Sequence, residues 1–175
     1  LLAFIRTHGR EKCVFINRQG NFFLVSVSFP EFLFDGTLLD GEFVKLNDTT
    51  PGQKPRYCFL GFDTFAFRGR FMFMHDYITR HRVGAMAMRE INKDDPSTCY
   101  DSPESQKCAF AMKEIFRTHQ YPEMLRHMKE INHPTDPEAV IITFIPYPLM
   151  ATEDKFKPLK LKARLDNTID FQVRL

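Results

Sequence analysis

Apolar and polar positions change rhythm twice along the chain. Over the first third, apolar residues come in short runs separated by Gly, Asn and Pro. Residues 11–17 (EKCVFIN) and 22–27 (FFLVSV) predict two strands joined by Arg18-Gln19-Gly20-Asn21, a hairpin with a four-residue loop. The residues before them, from Leu1, already follow a strand-like pattern. Residues 29–34 (FPEFLF) read as an irregular or single-turn apolar segment. Residues 37–46 predict a third strand and 47–55 a loop. Residues 56–67 (RYCFLGFDTFAF) predict a fourth strand, in which Gly61 marks a bulge or a close backbone approach.

From Met74 to about Lys93 the period becomes helical, with Tyr77, Ile78, Val83, Met86, Ala87 and Ile91 near helical spacing. A loop is expected over 92–105. Helices are expected over 106–117 (QKCAFAMKEIFR) and 122–131, the second opened by Pro122. Residues 132–137 break the pattern. A buried-type strand follows over 139–145 (AVIITFI), then alternating strands over 158–165 and 167–175. Strands, then helices, then strands predict an α+β fold with antiparallel sheets flanked by helices, as a single domain over 1–175.

One stretch cuts across its own pattern. In LLDGEFV (38–44), Asp40-Gly41-Glu42 interrupts a strand-forming run. Alone, Asp-Gly is a strong hairpin-turn signal. The other reading is a site where two carboxylates reach a sugar, a metal or a basic side chain. Composition narrows the options further. The chain has 175 residues and a net charge of +2, too weak to argue nucleic-acid binding by itself. It holds 19 Phe and no Trp, so many Phe must be buried. Cys13, Cys58, Cys99 and Cys108 are widely spaced, with no Cys/His cluster, which argues against zinc. They read as free buried thiols of an intracellular reducing compartment: nucleus, cytoplasm or organelle. The six His are scattered, and His75 and His81 read as surface residues. No apolar run reaches membrane-spanning length, so no membrane is expected. The chain starts without Met, which points to a piece of a longer protein.

Four segments, in order, resemble motifs of the nucleotidyltransferase domain shared by mRNA capping guanylyltransferases and DNA and RNA ligases, with the capping branch the nearer. They are TLLDGEFV (37–44), RYCFLGFDTFAFRG (56–69), EAVIITF (138–144) and LKLKARLDNTIDF (159–171). The resemblance implies a nucleotidyltransferase-like fold and a nucleotide cleft. It assigns ribose or metal binding to Asp40 and Glu42, guanine stacking to Phe62, metal binding to Asp63 and Glu138, and phosphate contact to Lys160 and Lys162. It also implies GTP with Mg2+ or Mn2+ if nucleotide binding is retained. Candidate partners are an RNA 5′ end or a ribonucleoprotein or protein complex. An OB-fold domain should follow where this chain stops, and it is absent from this chain.

The first motif of that family is Lys-x-Asp-Gly, whose Lys attacks the α-phosphate. It should sit at the start of the strand before the first hairpin, where the only candidate here is Arg6-Thr7-His8-Gly9. Gly9 is kept; Arg6 stands at the Lys position and His8 at the Asp position. A Lys amine can be made neutral by burial and neighbouring cations. A guanidinium is not deprotonated in a protein, and its lone pairs are delocalised. Arg6 can hold a phosphate but cannot become a phosphoramidate, so no catalytic residue is intact. Lys12 could substitute only after a register shift. Two functions stay open: an inactive guanylyltransferase-like pseudoenzyme acting as a nucleotide- or RNA-binding or scaffold module, and an active divergent mRNA guanylyltransferase transferring GMP from GTP to an RNA 5′ diphosphate end. In either, Asp63 and Glu42 are candidate ion-pair partners of Arg6.

Overall fold

A computed structural model describes residues 1–25, 28–46, 56–98 and 108–130, and the backbone of two further strands, 139–142 and 159–162. In chain order the elements are β1 (Leu2–Thr7), β2 (Arg10–Ile16), β3 (Phe22–Val25), β4 (Asp35–Lys45), β5 (Tyr57–Phe67), β6 (Arg70–Phe71), α1 (Tyr77–Asp94), β7 (Ala109–Met112), α2 (Tyr121–Glu130), β8 (Ala139–Ile142) and β9 (Leu159–Lys162). A 3-10 turn, Glu31–Phe34, precedes β4.

Seven strands form one sheet in the order β3-β2-β1-β4-β5-β6, with β7 added parallel to β5 and every other pair antiparallel. β8 and β9 pair antiparallel in a second sheet. The fold is α+β with a mostly antiparallel sheet and few helices, as the order of patterns predicts. Residues 99–107 and the 167–175 strand lie outside the described residues.

The core is aromatic. Phe4 meets Phe29 edge-on at 5.0 Å, and Phe29 meets Phe110 at 5.3 Å. Such edge contacts are favoured by the ring quadrupole. The helix α1 covers this face with Ala87, Met88 and Ile91, which recur at helical spacing and are buried. Asp76 caps it, its carboxylate accepting from Thr79 N at 2.8 Å.

Two expectations fail here. Residues 106–117 are not a helix, since Ala109–Met112 is a strand. The β6 strand reaches only Ala66 and Phe67 of β5, which leaves the 58–61 edge of β5 without a partner on that side. Residues 109–112 supply the ladder, and burial of Ala109 and Phe110 under α1 outweighs helix propensity. Asp40-Gly41 is not a turn either, because β4 runs unbroken through it.

Gly41 is there for contact. A Cβ on it would lie 2.5 Å from the Leu60 carbonyl oxygen and 2.9 Å from Gly61 Cα. At this point Asp40 faces Asp63 and Gly41 faces Gly61, so Phe62 is the extra residue of a β-bulge. Gly61 is tight too, its Cβ position being 2.5 Å from Met112 Sδ. The expected bulge at Gly61 is thus present. Because backbone atoms on β5 cannot yield as a flexible side chain would, Gly41→Ala is expected to destabilise the fold by about 1–3 kcal/mol. Urea unfolding of the variant against the parent chain measures it.

Candidate functional site

The RTHG residues build the tip of the β1–β2 hairpin. His8 and Gly9 have φ of 48° and 72°, the paired positive values of a two-residue type I′ turn. Gly9 adopts this conformation freely, and His tolerates it better than most residues. The tip thus explains the kept glycine without a ligand. Thr7 pairs with Arg10 and Arg6 with Glu11 across the hairpin.

Arg6 is exposed and ion-paired with three carboxylates. Its Nη2 donates to Glu11 Oε1 at 2.7 Å and to Glu31 Oε1 at 3.1 Å, and its Nη1 donates to Asp35 Oδ1 at 3.1 Å. The hydrogen bond to Glu11, and then the charges of Glu11, Asp35 and Glu31, hold the guanidinium pKa above its ordinary value. Arg6 ties together β1, β2, the 3-10 turn and the start of β4. The expected ion pairs with Glu42 and Asp63 are replaced by these three. The reason is register: Ile5 pairs with Asp35, so Arg6 stands at the start of β4. Asp40 lies five residues farther along, about 17 Å of strand.

The hairpin folds Lys12 back against Ile5, next to Arg6 in the chain. It sits one position from Glu11, so its side chain belongs to the opposite face of the sheet from Arg6.

The other candidates gather around the bulge. Asp40 is half-buried and accepts from Gly41 N at 3.0 Å. Burial pushes its carboxyl pKa up, and the neighbouring Asp63 adds to this; the Gly41 hydrogen bond and Arg18 pull the other way. Asp63 is buried and bound on both oxygens by Arg80, whose Nε and Nη2 each donate at 2.8 Å. Its Oδ1 also accepts from Thr64 N at 2.7 Å. Arg80 is fully buried and donates from Nη1 to the His75 carbonyl at 2.7 Å. A metal at Asp63 would compete with this bidentate pair. Glu42 is ion-paired with Lys113, whose ammonium stands 5.7 Å from the Phe62 ring centroid. Lys113 N donates to the Gly61 carbonyl at 2.7 Å, which anchors the lysine at the bulge.

No group of three or more His, Cys, Asp or Glu that could hold a metal ion occurs among the described residues. Glu138 lies outside them. Lys160 and Lys162 are on β9, where they pair with Ile141 and Ala139 of β8.

Three cysteines are free among the described residues. Burial raises the Cys13 thiol pKa strongly, and Cys58 and Cys108 rise to about 12, so these thiols stay protonated and inert. Cys99 lies outside the described residues. His75 is exposed as expected. His81 is not: it is buried, and its Nε2–H donates to the Lys113 carbonyl at 2.7 Å. It sits on the α1 face that carries Arg80, Gly84 and Met88.

Sequence reasoning missed Lys113 and Arg80. Lys113 was hidden inside a segment read as helix. Arg80 lies among polar residues at the start of α1, and nothing local marks it as buried. A signal existed only in the pairing of β4 with β5, which places Asp63 beneath the helix.

Ionised Asp40 is penalised in the fold, because its folded pKa lies above its unfolded value. The penalty is present above the folded pKa and vanishes as pH falls below the unfolded one. Asp40→Asn keeps the acceptor for Gly41 N, so it is expected to raise stability at pH 7 and to match the parent near pH 3. Urea midpoints at the two pH values check this.

Comparison with known proteins agrees with the family resemblance. The family described as mRNA capping enzyme, catalytic domain, matches residues 1–164. The mRNA-capping enzyme subunit alpha of Saccharomyces cerevisiae is 29% identical over 184 aligned positions, which cover 95% of this chain and 38% of that protein. The chain therefore spans well under half the length of this curated relative. With the family matched from the β1 strand through β9, the chain belongs to the mRNA capping enzyme catalytic domain family.

Proposed function

We propose that this chain is a capping-guanylyltransferase-like domain that does not form a covalent nucleotide adduct and serves as a folded module within a larger assembly. The observation that carries this reading is the ion pairing of Arg6 with Glu11, Glu31 and Asp35. A guanidinium supplies no lone pair for attack at phosphorus. About 17 Å of strand separates this position from Asp40. Glu42 and Asp63 already have cationic partners in Lys113 and Arg80. Each supports a structural use of residues that the family motifs assign to a nucleotide.

The active alternative predicts a different outcome in one assay. The chain is incubated with α-labelled GTP and Mg2+ or Mn2+, denatured, and separated by size. No label is expected on the protein, and an acid-labile labelled band would overturn the reading. The Arg6→Lys, His8→Asp double variant is also expected to stay unlabelled. Its lysine would face the same three carboxylates, which favour the charged, non-nucleophilic ammonium. Labelling of that variant would show a competent cleft and contradict the scaffold role.

A further inference from the structure

The β5–β6 hairpin carries a surface that none of the family motifs explains. Its tip, Arg68-Gly69, is a second type I′ turn, with φ of 50° and 73°. Asn-Gly is the favoured pair in such turns, so an arginine at the first position is held in a conformation that disfavours its side chain. Strain of this kind is maintained by surrounding structure, and it collects at functional positions. The surroundings are visible: Gly69 N donates to the Gly36 carbonyl at 2.9 Å, and a Cβ on Gly36 would lie 3.3 Å from Gly69 Cα. The tip is therefore clamped rather than free.

What the clamp displays is cationic and aromatic. Residues 67–75, FRGRFMFMH, contain no acidic residue. Arg68 and Arg70 are exposed and have no carboxylate partner among the described residues. The nearest acid along β4, Asp35, has its carboxylate on Arg6, and Asp76 is held by Thr79. Phe71 is 72% exposed, and its ring lies almost parallel to that of Phe73, 5.0 Å between centroids and 12° between planes. Met74 beside them is 94% exposed. A cavity of about 370 Å³ opens against Phe67, Arg68 and Arg70.

We propose that this hairpin binds an unpaired nucleic-acid strand, with Phe71 stacking a base and Arg68 and Arg70 holding adjacent phosphates. Phe71 offers an exposed ring, and Arg68 and Arg70 offer cations without a carboxylate partner among the described residues, Arg68 lying 5.8 Å over the Phe32 ring; rings beside cations are what single strands require. A phosphorylated peptide would use the arginines but has no need of a flat ring. The contact is to the strand itself and does not involve a 5′ phosphate, a nucleotide cleft or Arg6. It stands apart from the proposed loss of nucleotide transfer.

The test uses the full chain and fluorescein-labelled oligouridylate and oligothymidylate, both ending in a 5′ hydroxyl, with binding followed by anisotropy across a salt series. Both strands are expected to bind, separating a general single-strand site from one that requires RNA. Arg68→Ala with Arg70→Ala should weaken binding and flatten the slope of log affinity against log salt by roughly 1.4, the loss of two phosphate contacts on a single strand. Phe71→Ala should weaken binding about tenfold, while Phe71→Tyr, which keeps the ring, should bind as the parent does. In the parent chain, 2-aminopurine placed in the strand should be quenched on binding, a readout that needs no variant. The proposal is overturned if the parent binds neither strand, if the variants bind as the parent does, or if an acidic phosphopeptide binds in place of the strands without sensitivity to Phe71→Ala.

Discussion

The rest of the described fold depends on how closely β4 and β5 approach at Gly41 and Gly61. There is no room for a side chain at Gly41 against β5, while the missing side chain at Gly61 leaves space for Met112 and Met88. That approach fixes the register on both sides. It expels Phe62 as a bulge, seats Asp63 under α1 where Arg80 binds it, and leaves the edge that β7 fills. On the other side β4 sets β1, and with it the position of Arg6 beside Asp35. The DG pair, which by itself suggests a turn, is what allows an unbroken strand.

Two clusters of charge follow from this register, and they differ in kind. The Asp63–Arg80 pair is buried and bidentate, so it is an anchor: loss of either member would strand a charge in the core. The Arg6 cluster is at the sheet's end, partly exposed, and its attraction is softened by solvent. Its importance lies in occupancy. A lysine could have been driven to its neutral form for chemistry, whereas an arginine among carboxylates only becomes a firmer cation. Gly9 serves the turn of the β1–β2 hairpin, and Arg6 beside it ties that hairpin to the start of β4.

Much of this was legible in the chain. The strands from Arg10 to Phe67 and the helices beginning near Tyr77 and Tyr121 carry periods strong enough to read, and Gly61 announced the bulge. The AFAM strand was not legible, because four residues of small and large apolar side chains fit a helix face as well as a buried strand. Only the open edge of β5 decides between them, and that is a property of the assembled sheet. The same limit applies to the ion pairs. The sequence contained Arg6, Asp40, Glu42 and Asp63, and charge alone suggested that they meet. Pairing of Ile5 with Asp35 set the distance, and long-range partners such as Arg80 and Lys113 emerged only with the fold. Buried His81 belongs with these, since its partner is a carbonyl 32 residues away.

The account rests on Arg6 remaining with its three carboxylates when nucleotide is offered. Side-chain NMR of a 15N-arginine-labelled chain reports this directly through the Nε–Hε resonance of Arg6, assigned by its loss in Arg6→Gln. On titration with GTP and Mg2+ the resonance is expected to stay in place, with Glu11, Glu31 and Asp35 still its partners. A saturating shift of that resonance would show a phosphate taking the guanidinium from the cluster, and would contradict the account.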